Sequence, residues 1–150
     1  MANIQILVGT TSGNTEFLAD HAADLLKQQS FDVELHYEPN LSAIDQTQPW
    51  LIFIASHGAG DYADSMLDFH QQLLDSSGLK AFPYTVIAIG ESCYDTYCAA
   101  GRDIDQRLDN LGANRFSDRL EIDMLQDDPE IMVENQISFW IEKLRSYTQK

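Results

Sequence analysis

Basic side chains are scarce in this chain. Nine Lys and Arg stand against 24 Asp and Glu, for a formal net charge of −15. That balance excludes nucleic acid and anionic membranes as partners, because contact would bring like charges together. It fits a basic protein partner, or acidity that serves only solubility. Cysteine is also sparse. Cys93 and Cys98 form neither a CxxC pair nor a zinc spacing. They read as small buried thiols in a reducing compartment, not as a disulfide. No apolar run reaches the ~20 residues of a transmembrane helix. The start of the chain, Met1-Ala2-Asn3-Ile4, lacks the basic region and apolar stretch of a signal peptide, so a cytoplasmic location is expected. Internal repeats, linkers and low-complexity segments are missing too. His21, His36 and His70 are scattered without metal-ligand spacing, so no metal is expected. No Ser-His-Asp arrangement is readable, so no catalytic residue is assigned.

What is present is a regular alternation of elements. With 150 residues and 44% hydrophobic content, the chain is expected to form one domain with a sizeable core. Residues 50–55 are continuously apolar, residues 4–8 nearly so, and residues 82–89 are rich in Val and Ile; all three read as buried strands. Residues 31–37 alternate Val33, Leu35 and Tyr37 with polar neighbours, as an edge strand would. A last strand is expected over 115–124, interrupted near Ser117 and Asp118. Between these lie amphipathic stretches. Residues 16–29 place Leu18, Ala22, Leu25 and Leu26 on one helical face. A second helix, opened by Asp64 or Ser65, carries Leu67, His70, Leu73 and Leu74. A third carries Ile104, Leu108 and Leu111, with Gly112 just past its end. The last, with Pro129 at its first position, carries Val133, Ile137, Trp140, Ile141 and Leu144. This order implies an α/β fold with a five-stranded parallel sheet, strand order 2-1-3-4-5, and helices on both faces. Ligands of such sheets bind beyond the carboxyl ends of strands 1 and 3.

Three loops should therefore meet on one rim. The first is Gly9-Thr10-Thr11-Ser12-Gly13-Asn14-Thr15. It joins a strand to a helix start, where unpaired N–H groups and the helix dipole favour an anion. Its hydroxyls can donate to a phosphate, and Gly13 permits close backbone approach. It lacks the lysine and spacing of a nucleoside-triphosphate loop and the GxGxxG of a dinucleotide site. The rival reading is a helix cap at Ser12. The second loop, Ser56-His57-Gly58-Ala59-Gly60-Asp61, brings two glycines and a flat ring. The third brings Tyr94 and Tyr97 around Cys93 and Cys98. A terminal phosphate with ring surfaces from two loops fits a phosphorylated ligand bearing a large planar group, such as flavin mononucleotide (FMN). Stacking on His57 and Tyr94 would add roughly 0.5–1.5 kcal/mol per contact beyond area burial.

On these residues the chain resembles the flavodoxins. The first loop is similar to their phosphate loop. Ala55-Ser56-His57-Gly58-Ala59-Gly60-Asp61 resembles their second flavin loop, in the form shared with the FMN domains of diflavin reductases. Gly90-Glu91-Ser92-Cys93-Tyr94-Asp95-Thr96-Tyr97-Cys98 resembles the third. Leu108-Asp109-Asn110-Leu111-Gly112-Ala113 also matches. The resemblance spans nearly the whole chain, with the length of the short-chain members and a second loop closest to MioC-like flavodoxins. It implies a three-layer αβα sandwich and non-covalently bound FMN. Thr10, Ser12 and Thr15 would hold the phosphate by hydroxyls, with amides from Thr11, Gly13 and Asn14. Tyr94 matches the tyrosine stacked on the outer face of the isoalloxazine. Gly58 matches the glycine whose carbonyl turns to accept from the flavin N5–H after one electron arrives. Ser56, Ala59, Gly60, Asp61, Ser92, Cys93, Tyr97 and Cys98 would supply backbone or edge contacts. His57 departs from the pattern, standing where many members carry Trp or Tyr, so weaker flavin binding is implied.

The implied role is single-electron transfer by a monomeric carrier, rather than catalysis on a substrate of its own. A flavodoxin/ferredoxin NADP reductase would stand upstream, and low-potential acceptors such as radical enzymes downstream. Glu91, Asp95, Asp61 and Asp64 form an acidic rim in this reading. One unit charge at about 10 Å with an effective dielectric near 20 contributes roughly 1.7 kcal/mol, about 70 mV for a one-electron couple. The alternative class is a binding or regulatory protein of the same fold with weak or absent flavin. A flavin enzyme with its own substrate would need a substrate-binding group that the loops do not display. A receiver domain would need clustered carboxylates at the strand ends, where this chain has Gly, Thr, Ala and Ser.

Overall fold

Side chains alternate across the three most apolar strands, so each strand feeds two cores. The computed structural model describes residues 3–9, 13–55, 64–90 and 98–148. The described chain runs β1 (Asn3–Gly9), α1 (Gly13–Gln28), β2 (Asp32–His36), β3 (Trp50–Ala55), α2 (Leu67–Asp75), β4 (Pro83–Gly90), α3 (Ala99–Asn110), β5 (Asn114–Arg115), β6 (Leu120–Asp123) and α4 (Pro129–Thr148), with 3-10 turns at Leu41–Ala43 and Asp64–Met66. The sheet order is β2-β1-β3-β4, and β5 and β6 both pair with β4. Every pairing is parallel. On one face Ile6, Val8, Leu51, Phe53, Ile87 and Ile122 pack with α1 and α4. On the other, Leu7, Trp50, Ile52, Ile54, Val86 and Ala88 pack with α2 and α3. This is the expected αβα sandwich.

The fifth sheet position is shared by two short strands, because the chain leaves the ladder between them. β5 pairs with the start of β4 and β6 with its end. Side chains hold the break. Thr85 Oγ1 donates to the Ser117 carbonyl at 3.1 Å. Trp140 Nε1 donates to Ser117 Oγ at 2.9 Å. Phe116 turns inward, edge-on to Trp140. A buried carboxylate then ties α3 to this edge. Asp105 accepts from the Tyr84 hydroxyl at 2.9 Å, Arg115 Nε at 2.8 Å and Arg119 Nη1 at 2.5 Å. Three donors compensate the desolvation of a buried charge. Burial, and then the bond to Asp105, push the Tyr84 hydroxyl above its usual pKa.

Five details differ from the sequence reading. α1 starts at Gly13, three residues before the apolar periodicity begins. Its first turn holds exposed Gly13 and Asn14, so hydrophobic spacing carries no signal there. The buried face of α2 is Phe69 and Leu73, continuing from Met66, whereas Leu67 and Leu74 are about half exposed, at 51% and 49%. The preceding 3-10 turn, with fewer residues per revolution, rotates the helix away from the simple leucine pattern. Asp64 lies in that turn, and the α2 cap position is Met66, without a side-chain cap bond. Tyr37 falls outside β2. Its hydroxyl donates to Asp20 on α1, and that bond, with burial next, pushes its pKa up to about 12. Leu111 is the C-cap of α3 rather than part of its face, and Gly112 follows with φ +105°.

α3 approaches the sheet closely at Gly101. A Cβ there would stand 2.4 Å from Ala88 Cβ and 3.2 Å from Ala88 Cα, so backbone would have to move. Overpacking of this kind costs about 1–3 kcal/mol, more than the ~1 kcal/mol that alanine gains over glycine in a helix. Gly101→Ala is expected to lower the urea midpoint. An unchanged or raised midpoint would show that α3 can shift without loss.

Candidate functional site at the carboxyl rim of the sheet

Gly9, Ala55 and Gly90 end three neighbouring strands. Gly9 is level with Ile54, Ala55 with Ile89, and Gly90 with Asp123. The chain therefore leaves the sheet at adjacent points along one edge. From β1 it crosses through α1 on one face, and from β3 through α2 on the other. Divergent crossovers leave a crevice between β1 and β3, the site where open α/β sheets bind ligands.

The loops themselves are largely outside the described residues. Thr10, Thr11, Ser12, Ser56, His57, Gly58, Ala59, Gly60, Asp61, Ser92, Cys93, Tyr94 and Tyr97 fall there, as do Glu91 and Asp95. Gly13, Asn14, Thr15 and Cys98 are described. The first three form the opening turn of α1, the end of a helix whose dipole favours an anion. Among the described residues, a Cβ on Gly13 would meet nothing within 4 Å. Thr15 is only 1% exposed, a hydroxyl buried under the helix start. A helix start beside a buried hydroxyl can serve an anion. Cys98 is fully buried in the core beside α3, as expected for a small thiol. It has φ +54°, the left-handed region, and its carbonyl accepts from Arg102 N at 3.0 Å. The third loop thus enters α3 through a strained backbone position rather than a side-chain cap.

Contacts behind the loops fix their ends, and the sequence reading missed them. A Cβ on Gly9 would lie 2.4 Å from Met66 Cγ. The end of β1 is thereby packed against the 3-10 turn that follows the second loop. His70 on α2 and Asp103 on α3 bring Nε2 and Oδ2 to 3.8 Å, and Arg107 pairs with the same Asp103 oxygen at 2.8 Å. These groups brace the helices that follow the second and third loops. At the end of β6, Asp123 Oδ1 accepts from Leu125 N at 3.0 Å, and Asp127 Oδ2 accepts from Asp123 N at 2.8 Å. The Asp123 and Asp127 spacing was a readable turn signal. Arg102, in the first turn of α3, is neutralised by paired 2.9 Å contacts to Glu121. Arg102 first, with Arg119 assisting, holds the Glu121 carboxyl below its usual range.

The flavodoxin family model matches residues 6–137. The chain belongs to the flavodoxin family. Its cofactor, FMN, is the one that the loops imply. A MioC homolog from Haemophilus influenzae is 34% identical over 145 residues, covering 95% of this chain and 99% of that protein. The sulfite reductase [NADPH] flavoprotein alpha-component of Bacillus subtilis is 33% identical over 132 residues, 84% of this chain but 22% of that protein. Among solved structures, a flavodoxin from Streptococcus pneumoniae TIGR4 superposes with a TM-score of 0.75 at 27% identity, covering 97% of this chain and 99% of that one. No helix among the described residues is long and apolar enough to cross a membrane.

Burial lowers the pKa of His70, Arg107 acts in the same direction, and Asp103 opposes them. Burial also lowers that of His36, against Glu34, with His36 Nε2 bonded to Gln5 Oε1 at 2.7 Å. A folded-state pKa below the unfolded value means that the unfolded chain binds the proton more readily. The stability held by the neutral rings is intact above about pH 6.5 and is lost as pH falls below it. The urea midpoint is expected to be lower at pH 5.5 than at pH 7.5, and His70→Gln should narrow that difference. An equal difference in the variant would remove His70 from the account.

Proposed function

We propose that this flavodoxin is a one-electron carrier holding FMN at the carboxyl rim of its sheet. The adjacency of the β1, β3 and β4 ends supports this reading most directly, because three chemically different loops leave the sheet from those ends. Bound FMN supplies the electron-transfer chemistry. The protein binds it, orients it and sets its surroundings. Thr10, Ser12 and Thr15 hold the phosphate through hydroxyls, with amides from Thr11, Gly13 and Asn14. Tyr94 covers one ring face and His57 the other. Gly58 is free to turn its peptide, since glycine accepts both orientations. Ser56, Ala59, Gly60, Asp61, Ser92, Cys93, Tyr97 and Cys98 contribute edge and backbone contacts.

The net charge of −15 sets the partner class. Acidic groups steer basic redox proteins to the rim and disfavour added negative charge on the ring. In this reading a flavodoxin/ferredoxin NADP reductase donates and a low-potential enzyme accepts, with the carrier a cytoplasmic monomer of one FMN-binding domain. The relationship to the sulfite reductase flavoprotein component agrees with a donor role. One observation supports a second reading. His57 offers less ring surface than indole, and weak flavin binding would leave a protein acting through contacts alone.

A spectroscopic titration with FMN separates these readings. Saturable binding at micromolar concentration, with visible flavin bands, is expected of the carrier; failure to bind there leaves the contact-only reading. Gly58→Val should then narrow the gap between the two one-electron potentials while FMN still binds. An unchanged gap would discard the role given to Gly58.

A further inference from the structure

Histidines that are scattered in sequence need not be scattered in space. α1 and α4 lie on the same face of the sheet. His21 on α1 comes beside Glu130 and Glu134 on α4, and one ligand atom from each lies within 4.8 Å of the others. His21 Nε2 and Glu134 Oε1 are 2.9 Å apart although 113 positions separate the residues. Glu130 and Glu134 are one helical turn apart, so both carboxylates project to the same side. The imidazole is also oriented from behind. Phe17, one turn earlier on α1, stacks parallel to it, with ring centroids 6.2 Å apart and planes 1° apart.

We propose that His21, Glu130 and Glu134 form a surface site for a divalent transition metal of the zinc class, stapling α1 to α4. The ligand chemistry selects the metal. A nitrogen donor with two carboxylates suits zinc and its neighbours, whereas calcium and magnesium favour all-oxygen shells. Ligand atoms around tetrahedral zinc lie about 3.3–3.6 Å apart. The longest separation must therefore shorten by roughly 1–1.5 Å, and the 2.9 Å His21–Glu134 pair must open slightly. Glu130 and Glu134 are exposed and His21 half-buried, so rotation of the two glutamates supplies that movement without displacing a helix. Three protein ligands leave a coordination position for water or an added ligand. The site exists only when the helices are docked, so binding must stabilise the fold. It is separate from the FMN rim and does not depend on the electron-carrier reading.

Isothermal titration of chelator-treated, full-length protein with zinc chloride tests this. Wild type should bind one equivalent at micromolar concentration, with a rise in thermal midpoint. His21→Gln and the double variant Glu130→Gln/Glu134→Gln should each weaken that binding at least about tenfold and lose the thermal rise. Both sets of changes are at the surface, so circular dichroism should show native folding. Equal zinc affinity in wild type and either variant would overturn the site, as would absence of micromolar binding in wild type.

Discussion

Strands β1, β3 and β4 bury side chains on both faces, so helices must cover the sheet on both sides. A parallel sheet meets that demand only through crossovers, which are right-handed in nearly all folds. Placing one crossover on each face forces the chain to start near the middle and build outward in both directions. The crevice between β1 and β3 follows from that construction. It is a consequence of covering a two-sided apolar sheet, and the loops bordering it are where chemistry can be added without disturbing the core.

Close contacts make the rim an extension of the core. Gly9 lets Met66 approach the end of β1, and Gly101 lets α3 approach Ala88. Both sit beside loop segments, so the packing that stabilises the sandwich also fixes where those segments begin and end. Asp105 performs a related task at the opposite, amino-terminal end of β4. Its bonds to Tyr84, Arg115 and Arg119 hold α3 to an edge that has only two short strands. The interruption between those strands is stable because Thr85 and Trp140 supply donors where the ladder is lost.

The chain's few cations are used sparingly. Arg102, Arg115 and Arg119 are engaged with Asp105 and Glu121, and Arg107 with Asp103. Together they balance carboxylates around α3 and the split fifth strand, and most of the acidic excess is left uncompensated elsewhere. The buried carboxylate is thereby compensated although the chain as a whole is strongly acidic.

Much of this fold is legible in the residues themselves. Apolar runs identify the central strands, and Ser117 and Asp118 mark the break in the last one. Gly112 and Pro129 mark helix ends because backbone geometry, a positive φ or a fixed one, selects those residue types locally. The order and chemistry of the loops point to the family and its cofactor, since a phosphate loop must combine a helix start with small, hydroxyl-bearing residues. Local pattern fails where packing decides. The buried face of α2 is set by Met66 reaching Gly9, and the first turn of α1 has no hydrophobic period to betray it. The charges gathered on Asp105 come from separate elements, and so does the meeting of His21 with Glu130 and Glu134. Sequence alone determined the elements, their order and the kind of ligand they could serve. The tertiary structure decided which distant side chains became neighbours, because only docking the helices on the sheet brings residues more than a hundred positions apart within bonding distance.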